Sequence, residues 1–240
     1  MRCITPPDTK SVYKIKKAFT LAETLVTLVI IGLIVAFGIP ALIQSVEKIQ
    51  FQSALKKEIS VVSQAAMYIS NDYGGSLASI YGNSGNWAND QNALMQAFAS
   101  KLNTVKTCNS GVSGCWVPTV LTLHKDVSDS SDTDTYAKLV LNDGTVLQFM
   151  NFQSSCTTSR GIGAFAKKGC GTILIDVNGN KGPNVIGIDI YDVEISANGI
   201  YPGGLIDGPY EGQCSVSTTD PRGGYGCAAN VMLGLDYSYY

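Results

Sequence analysis

Lys14-Ile15-Lys16-Lys17-Ala18-Phe19-Thr20-Leu21-Ala22-Glu23-Thr24-Leu25-Val26 opens the stretch whose reading decides the fold. From Thr24 to Val46 the chain carries 23 residues without a charge, ending at Glu47. At about 1.5 Å per helical residue that run extends roughly 35 Å, enough for a hydrocarbon core of roughly 30 Å. The lysines before it and the acidic chain after it orient the N-terminus toward the cytoplasm and place everything beyond about residue 45 outside. A cleaved secretory signal fits poorly, because its apolar core is shorter and ends at a small-residue cleavage site. A plain signal anchor fits the length and the flanks but leaves Glu23 without a role. Intramembrane carboxylates are costly and usually have a partner. No basic residue follows Glu23 until Lys48, so its charge partner is expected from outside this segment.

These residues resemble the N-terminal motif of type IV prepilins and type II secretion pseudopilins: a basic leader, a small residue, Phe, and a carboxylate four residues later at the start of an apolar run. The resemblance implies cleavage by a prepilin peptidase between Ala18 and Phe19, where the family usually has Gly before the cut. It also implies methylation of the new amino terminus at Phe19, and pairing of Glu23 with the amino terminus of a neighbouring subunit; the four-residue offset equally permits that pairing within one chain. Gly32 and Pro40 match positions where pilin helices loosen during assembly; Gly weakens a helix and Pro removes a backbone donor. The homologous filament subunits, the peptidase and the membrane are the implied partners.

Outward from that segment, the apolar residues Phe51, Leu55, Ile59, Val62, Ala66, Ile69 and Tyr73 fall at steps of three and four and form one helical stripe. Lys48, Gln52, Lys56, Lys57, Glu58 and Gln64 are assigned to other faces, and Gly74-Gly75 reads as the stop. One helix is therefore expected from about Phe19 to Tyr73, with its second half packed on a head. The expected organisation is a leader (1–18), an assembly helix (19–46), its amphipathic continuation (47–75) and an exported head (76–240). The expected fold class is α+β: a long N-terminal helix, membrane half plus amphipathic half, packed on an antiparallel sheet, which the resemblance implies is pilin-like.

Residues 76–118 read as a connecting region with one short amphipathic helix carrying Leu94, Phe98 and Leu102. Trp87 and Trp116 read as core aromatics rather than a sugar-binding platform. Strand patterns begin at Val120–Leu123. A hairpin follows, Tyr136–Leu141 and Thr145–Phe149 around Asn142-Asp143-Gly144. A second pair, Thr172–Ile175 and Val185–Ile195, flanks a Gly/Asn/Pro loop. The tail from Pro202 shows little regular pattern.

Composition narrows the function classes. The 240 residues include one His, which leaves little room for Ser-His-Asp, Cys-His or multi-His metal chemistry, and no GxSxG, P-loop or HExxH motif occurs. No enzymatic activity is expected. Residues 1–18 sum to +4 and the remainder to −6, so nucleic-acid binding, which rests on Lys/Arg neutralising phosphates, is not expected of the head. Asp126, Asp129, Asp132 and Asp134 lie in a Ser-rich solvated stretch. Cys3 belongs to the leader, leaving six cysteines in the exported part, an even number that points to disulfides. Proximity favours Cys108–Cys115, Cys156–Cys170 and Cys214–Cys227 among the 15 possible pairings; no CxxC spacing supports zinc.

One loop carries candidate ligands. Asp176, Asn178, Asn180, Asn184 and Asp189 place oxygens at alternating positions suited to a hard cation such as calcium. Gly179 falls at the fourth position of an EF-hand-like start and no Glu sits at the twelfth, so an EF-hand is excluded. A tight turn in which Asn, Gly and Pro do only conformational work is the competing reading. The pseudopilin resemblance implies calcium at such a loop.

Overall fold

The structure is a computed structural model that describes residues 19–80, 86–128, 135–151, 156–159, 161–163, 166–217, 221–235 and 237. Ala18 and the rest of the leader, with Cys3, lie outside the described residues, as do Asp129, Asp132 and Asp134. The chain divides into two compact units, Met1–Val46 and Glu47–Tyr240.

One helix, α1 (Leu21–Asp72), runs through 52 residues. Gly32 and Pro40 both lie inside it, and the helical assignment is continuous across each. In the first unit the large apolar side chains from Leu21 to Val46 are exposed on every face, and the segment is long and apolar enough to cross a membrane. A helix apolar all round matches a lipid or protein environment on all sides rather than one packed face. The helix stops where expected: Gly74 and Gly75 take φ of +80° and +95°, and the Gly75 amide donates to the Ser70 carbonyl at 2.7 Å, closing the last turn.

In the second unit the stripe Leu55, Ile59, Val62, Ala66 and Ile69 is buried. It packs in one core with Leu94 and Phe98 of α2 (Trp87–Ala99) and with Leu139, Leu147, Phe149, Ile173, Val193 and Ile195 of the sheet. Each fully buried side chain of this kind contributes about 1.5–3 kcal/mol. Glu58, assigned by periodicity to another face, is instead 1% exposed. Lys57 and Glu58 pair at 2.9 Å, and Lys57 also bonds Asp143, which ties α1 to the hairpin turn Asn142-Asp143-Gly144.

The sheet is an antiparallel meander of six strands in chain order: β1 (Thr104–Cys108), β2 (Ala137–Leu141), β3 (Val146–Asn151), β4 (Gly169–Asp176), β5 (Ile190–Ser196) and β6 (Gly199–Pro202). The hairpin forms as expected, with Val140 opposite Val146. Four expectations are corrected. Val120–Leu123 is not a strand but carries isolated bridges from Leu121 to Val127 and Val185. Residues 104–108, within the expected connecting region, form the edge strand β1. The strand expected from Val185 starts at Ile190, because residues 185–189 fold into turns around Asp189. The tail contains a short helix, α3 (Cys227–Leu233).

β4 and β5 are buried along their whole length. The face opposite α1 and α2 is covered by loops: Trp116, Val117 and Val120 from one, Ile186 from a second and Tyr225 from a third pack over Val146, Leu174 and Ile190. Trp116 is thus a core aromatic, 2% exposed, whereas Trp87 is 61% exposed and is not. Disulfides join Cys108–Cys115, Cys156–Cys170 and Cys214–Cys227, the pairing that proximity favours.

Candidate functional site

At the start of α1, Thr20 and Glu23 satisfy each other. The Thr20 amide donates to Glu23 Oε2 at 2.8 Å, the Thr20 hydroxyl to the same oxygen at 3.0 Å, and the Glu23 amide to Thr20 Oγ1 at 3.2 Å. This is a capping box: a Thr at the N-cap and a Glu three residues on, each supplying a partner to a terminal backbone N–H of the other. Sequence reasoning sought a charge partner for Glu23 and passed over the Thr-x-x-Glu spacing that was legible before the apolar run. The capping box satisfies hydrogen bonds but supplies no opposite charge to the carboxylate. Phe19 precedes the cap and is exposed. A Cβ added at Gly32 meets nothing within 4 Å, so nothing in the described unit requires a small residue there.

The second constellation is the loop between β4 and β5. β4 ends on Asp176 and the chain returns to β5 at Ile190, while the Val177 amide donates to the Asp189 carbonyl at 3.0 Å, drawing the loop's ends together. Asp176 and Asp189 are both fully buried. Asp189 organises the return: its Oδ2 accepts from the Asn184 amide and its Oδ1 from the Val185 amide, each at 2.8 Å. Asp176 Oδ1 accepts from the Asn178 amide at 3.2 Å, and Asn178 Nδ2 donates to the Gly182 carbonyl at 3.0 Å. Gly179 takes φ +66°, and a Cβ there would lie 2.6 Å from the Gly144 carbonyl oxygen, so only glycine lets this loop lie against the β2–β3 turn.

The remaining oxygens define the chemistry. Asp176 Oδ2, Asn178 Oδ1 and Asn184 Oδ1 are buried and have no hydrogen-bond partner among the described residues. Buried acceptors without donors are rare and costly. Burial, and then the charge of Asp189, push the Asp176 carboxyl up to about 8. Burial likewise raises the Asp189 carboxyl, against the Val185 and Asn184 amides that favour its charged form. Two buried acids, with the charge of Asp189 raising the proton affinity of Asp176, stand beside two unsatisfied amide carbonyls and make an oxygen-only donor set. Such a set fits a hard divalent cation. Of the five expected ligands, the loop brings together Asp176, Asn178, Asn184 and Asp189; Asn180 is exposed to solvent. Among the described residues no three His, Cys, Asp or Glu side chains gather into a metal cluster, so a hard cation here would draw on amide, carbonyl or water oxygens beside the two carboxylates.

Compared with known proteins, the chain matches no family model, no curated protein and no solved structure. Its architecture is nevertheless pilin-like: an apolar N-terminal helix whose later turns pack on an antiparallel sheet.

Proposed function

We propose that this chain is a structural subunit of a type IV pilus-like or type II secretion filament, cut between Ala18 and Phe19, methylated at Phe19, and drawn from the membrane into a fibre. The observation that carries the reading is the helix itself. Its first half is uncharged from Thr24 to Val46 and exposed on every face, and it continues without interruption into a half that packs on a disulfide-bonded head. In lipid such a surface gains nothing from hydrophobic association. Outside the bilayer the same surface must be buried, and neighbouring copies of the same helix are the simplest cover. Glu23, capped by its own chain but not charge-neutralised, is the natural acceptor for the amine that cleavage releases at Phe19. The work of the protein is mechanical, and no catalytic step is assigned to it.

The loop oxygens of Asp176, Asn178 and Asn184, with Asp189 holding the return, support a structural calcium ion that stiffens the head. The basic leader, the apolar helix and the disulfides support insertion in the cytoplasmic membrane with the head outside. Mass analysis of the chain from its host tests the processing: an N-terminus at methylated Phe19 is expected. Retention of residues 1–18 instead supports the competing reading, an uncleaved signal-anchored binding protein. A DNA-uptake subunit is the third reading, and the net charge of −6 over residues 19–240 speaks against direct DNA contact; a low-salt gel shift is expected to show none.

A further inference from the structure

Tyr237 is fastened to α1 at the turn that follows the uncharged run. The Lys48 ammonium donates to the Tyr237 carbonyl at 3.0 Å and lies 5.4 Å from the centre of its ring. The Tyr237 hydroxyl donates to the Gly187 carbonyl at 2.9 Å. Lys48 comes two positions after Val46, the last residue of the run, a rise of about 3 Å along a helix. The polar layer on each side of a hydrocarbon core is about 5–8 Å deep. Where α1 leaves a bilayer, Lys48 therefore stands in that layer rather than in bulk water, and the Tyr237 carbonyl stands with it.

The residues just before Tyr237 present an unusual surface at the same depth. Met232, Leu233 and Leu235 are 39%, 59% and 52% exposed. Leu235 is two residues from Tyr237, so their Cα atoms are no more than about 7 Å apart. These side chains stay outside because α3 uses its other face: Cys227, Ala228 and Val231 are buried in the same core as Leu55 of α1. The turn is fixed, with Gly234 at φ +70° and the Leu235 amide donating to the Asn230 carbonyl at 2.8 Å. On α1, Ile49 beside Lys48 is exposed as well. From Ala228 to Tyr240 the sequence carries one charged side chain, Asp236, which lies outside the described residues.

Large apolar side chains exposed together mark a contact, and their depth says with what. Aliphatic groups held within a few ångströms of the hydrocarbon boundary meet acyl chains before they meet another protein, and tyrosine suits the same layer. We infer that the C-terminal turn of α3, through Met232, Leu233 and Leu235, inserts with Ile49 into the interfacial layer of the membrane that α1 spans. With Asp236 as the turn's one charge, apolar burial drives the contact and anionic headgroups do not. The inference rests on the reading of α1 as membrane-spanning, and it holds whether or not the chain assembles into fibres.

The test places the full chain, one copy per disc, in phosphatidylcholine nanodiscs with isotope-labelled Met and Ile methyl groups. Two relaxation agents are compared, a lipid spin-labelled near its headgroup and a soluble gadolinium chelate. The Met232 and Ile49 methyls are expected to be broadened by the lipid and sheltered from the chelate. Met67, exposed and twenty-one positions after Val46 on α1, is expected to show the reverse. Ile30 and Ile34 report on spanning separately. If they are sheltered while Met232 and Ile49 meet the chelate, the docking is overturned and the spanning stands; chelate access to Ile30 and Ile34 removes both. L233S combined with L235S, at exposed positions, is expected to lose the shelter of Met232 with the buried Met95 methyl unshifted. Shelter retained in that variant, shelter lost on adding salt, or shelter seen only with two copies per disc overturns the inference, the last by assigning the patch to a second copy of the chain.

Discussion

Thr20 and Glu23 close the first turn of α1 on each other through three hydrogen bonds, all between 2.8 and 3.2 Å. Glu23 therefore has two separable properties, an acceptor that caps its own helix and a charge that, on the proposed function, a neighbour's amine neutralises. Glu23→Gln keeps the cap, since Gln also serves at that position of a capping box, but removes the charge. Thr20→Ala does the reverse. If the charge carries assembly, E23Q protein is expected to stay in the membrane without entering fibres, while T20A protein assembles. Fibre yield from sheared cells, scored against membrane content, decides between them; normal yield from E23Q would sink the charge pairing.

Calcium is expected to raise the melting temperature of the full chain in a concentration-dependent way, because a cation that binds only the folded state stabilises it by mass action. At a free concentration 100 times the dissociation constant the gain is about 2.7 kcal/mol, or roughly 5–11 °C for a domain of this size. Asp176→Asn removes one of the two buried acids and is expected to lose the calcium response. Without calcium the same variant is expected to melt no lower than the parent, since it relieves the repulsion with Asp189. A melt indifferent to both calcium and chelator removes the ion from the account.

Tyr210 and Tyr225 pack on the core over the sheet, and Cys214–Cys227, thirteen positions apart in sequence, fastens this part of the chain. The contact is tight: a Cβ at Gly204 would approach the Gly226 carbonyl oxygen to 2.1 Å. Loop-closure entropy for such a span stabilises by about 3 kcal/mol. Cys214→Ser with Cys227→Ser is expected to lower the melting temperature by about 6–12 °C. Calorimetry of the oxidised parent and the double variant measures it.

The long elements were legible because their periods are uninterrupted. The stripe from Leu55 to Ile69 and the alternation on either side of Asn142-Asp143-Gly144 each bury one face, and the structure contains both. β1 was not legible: it is a five-residue edge strand with a register shift between Thr104 and Lys106, and Val105 is 69% exposed, so no alternation survives to be read. β5 misled in the other direction, because buried acids at Asp192 and Glu194 sit within a strand covered on both faces, where period two carries no information. Trp87 misled through residue type, which argued for the core, whereas its place at the start of α2 leaves it exposed.

Glu58 and Asp143 share Lys57 but respond to pH in opposite senses. Burial raises the Glu58 carboxyl, outweighing the Lys57 bond. Both states are protonated well below its unfolded value of 4.5, and ionisation is penalised only in the folded state, so this residue's effect is a stability lost as pH rises above that value. Asp143 is held down at about 2: burial opposes its ionisation, but Lys57 and the Thr145 amide overcome it. Its contribution is present above the unfolded value of 3.8 and is lost as pH falls toward 2. Glu58→Gln is expected to raise the melting temperature at about pH 7 and leave it unchanged below about pH 4. Asp143→Asn is expected to cost on the order of 1 kcal/mol at neutral pH, discounted for the solvent exposure of the pair, with the difference closing as pH falls toward 2. Melts of the three proteins across that range check both signs, and a Glu58→Gln gain that persists into acid would show that the burial penalty falls on something other than the charge.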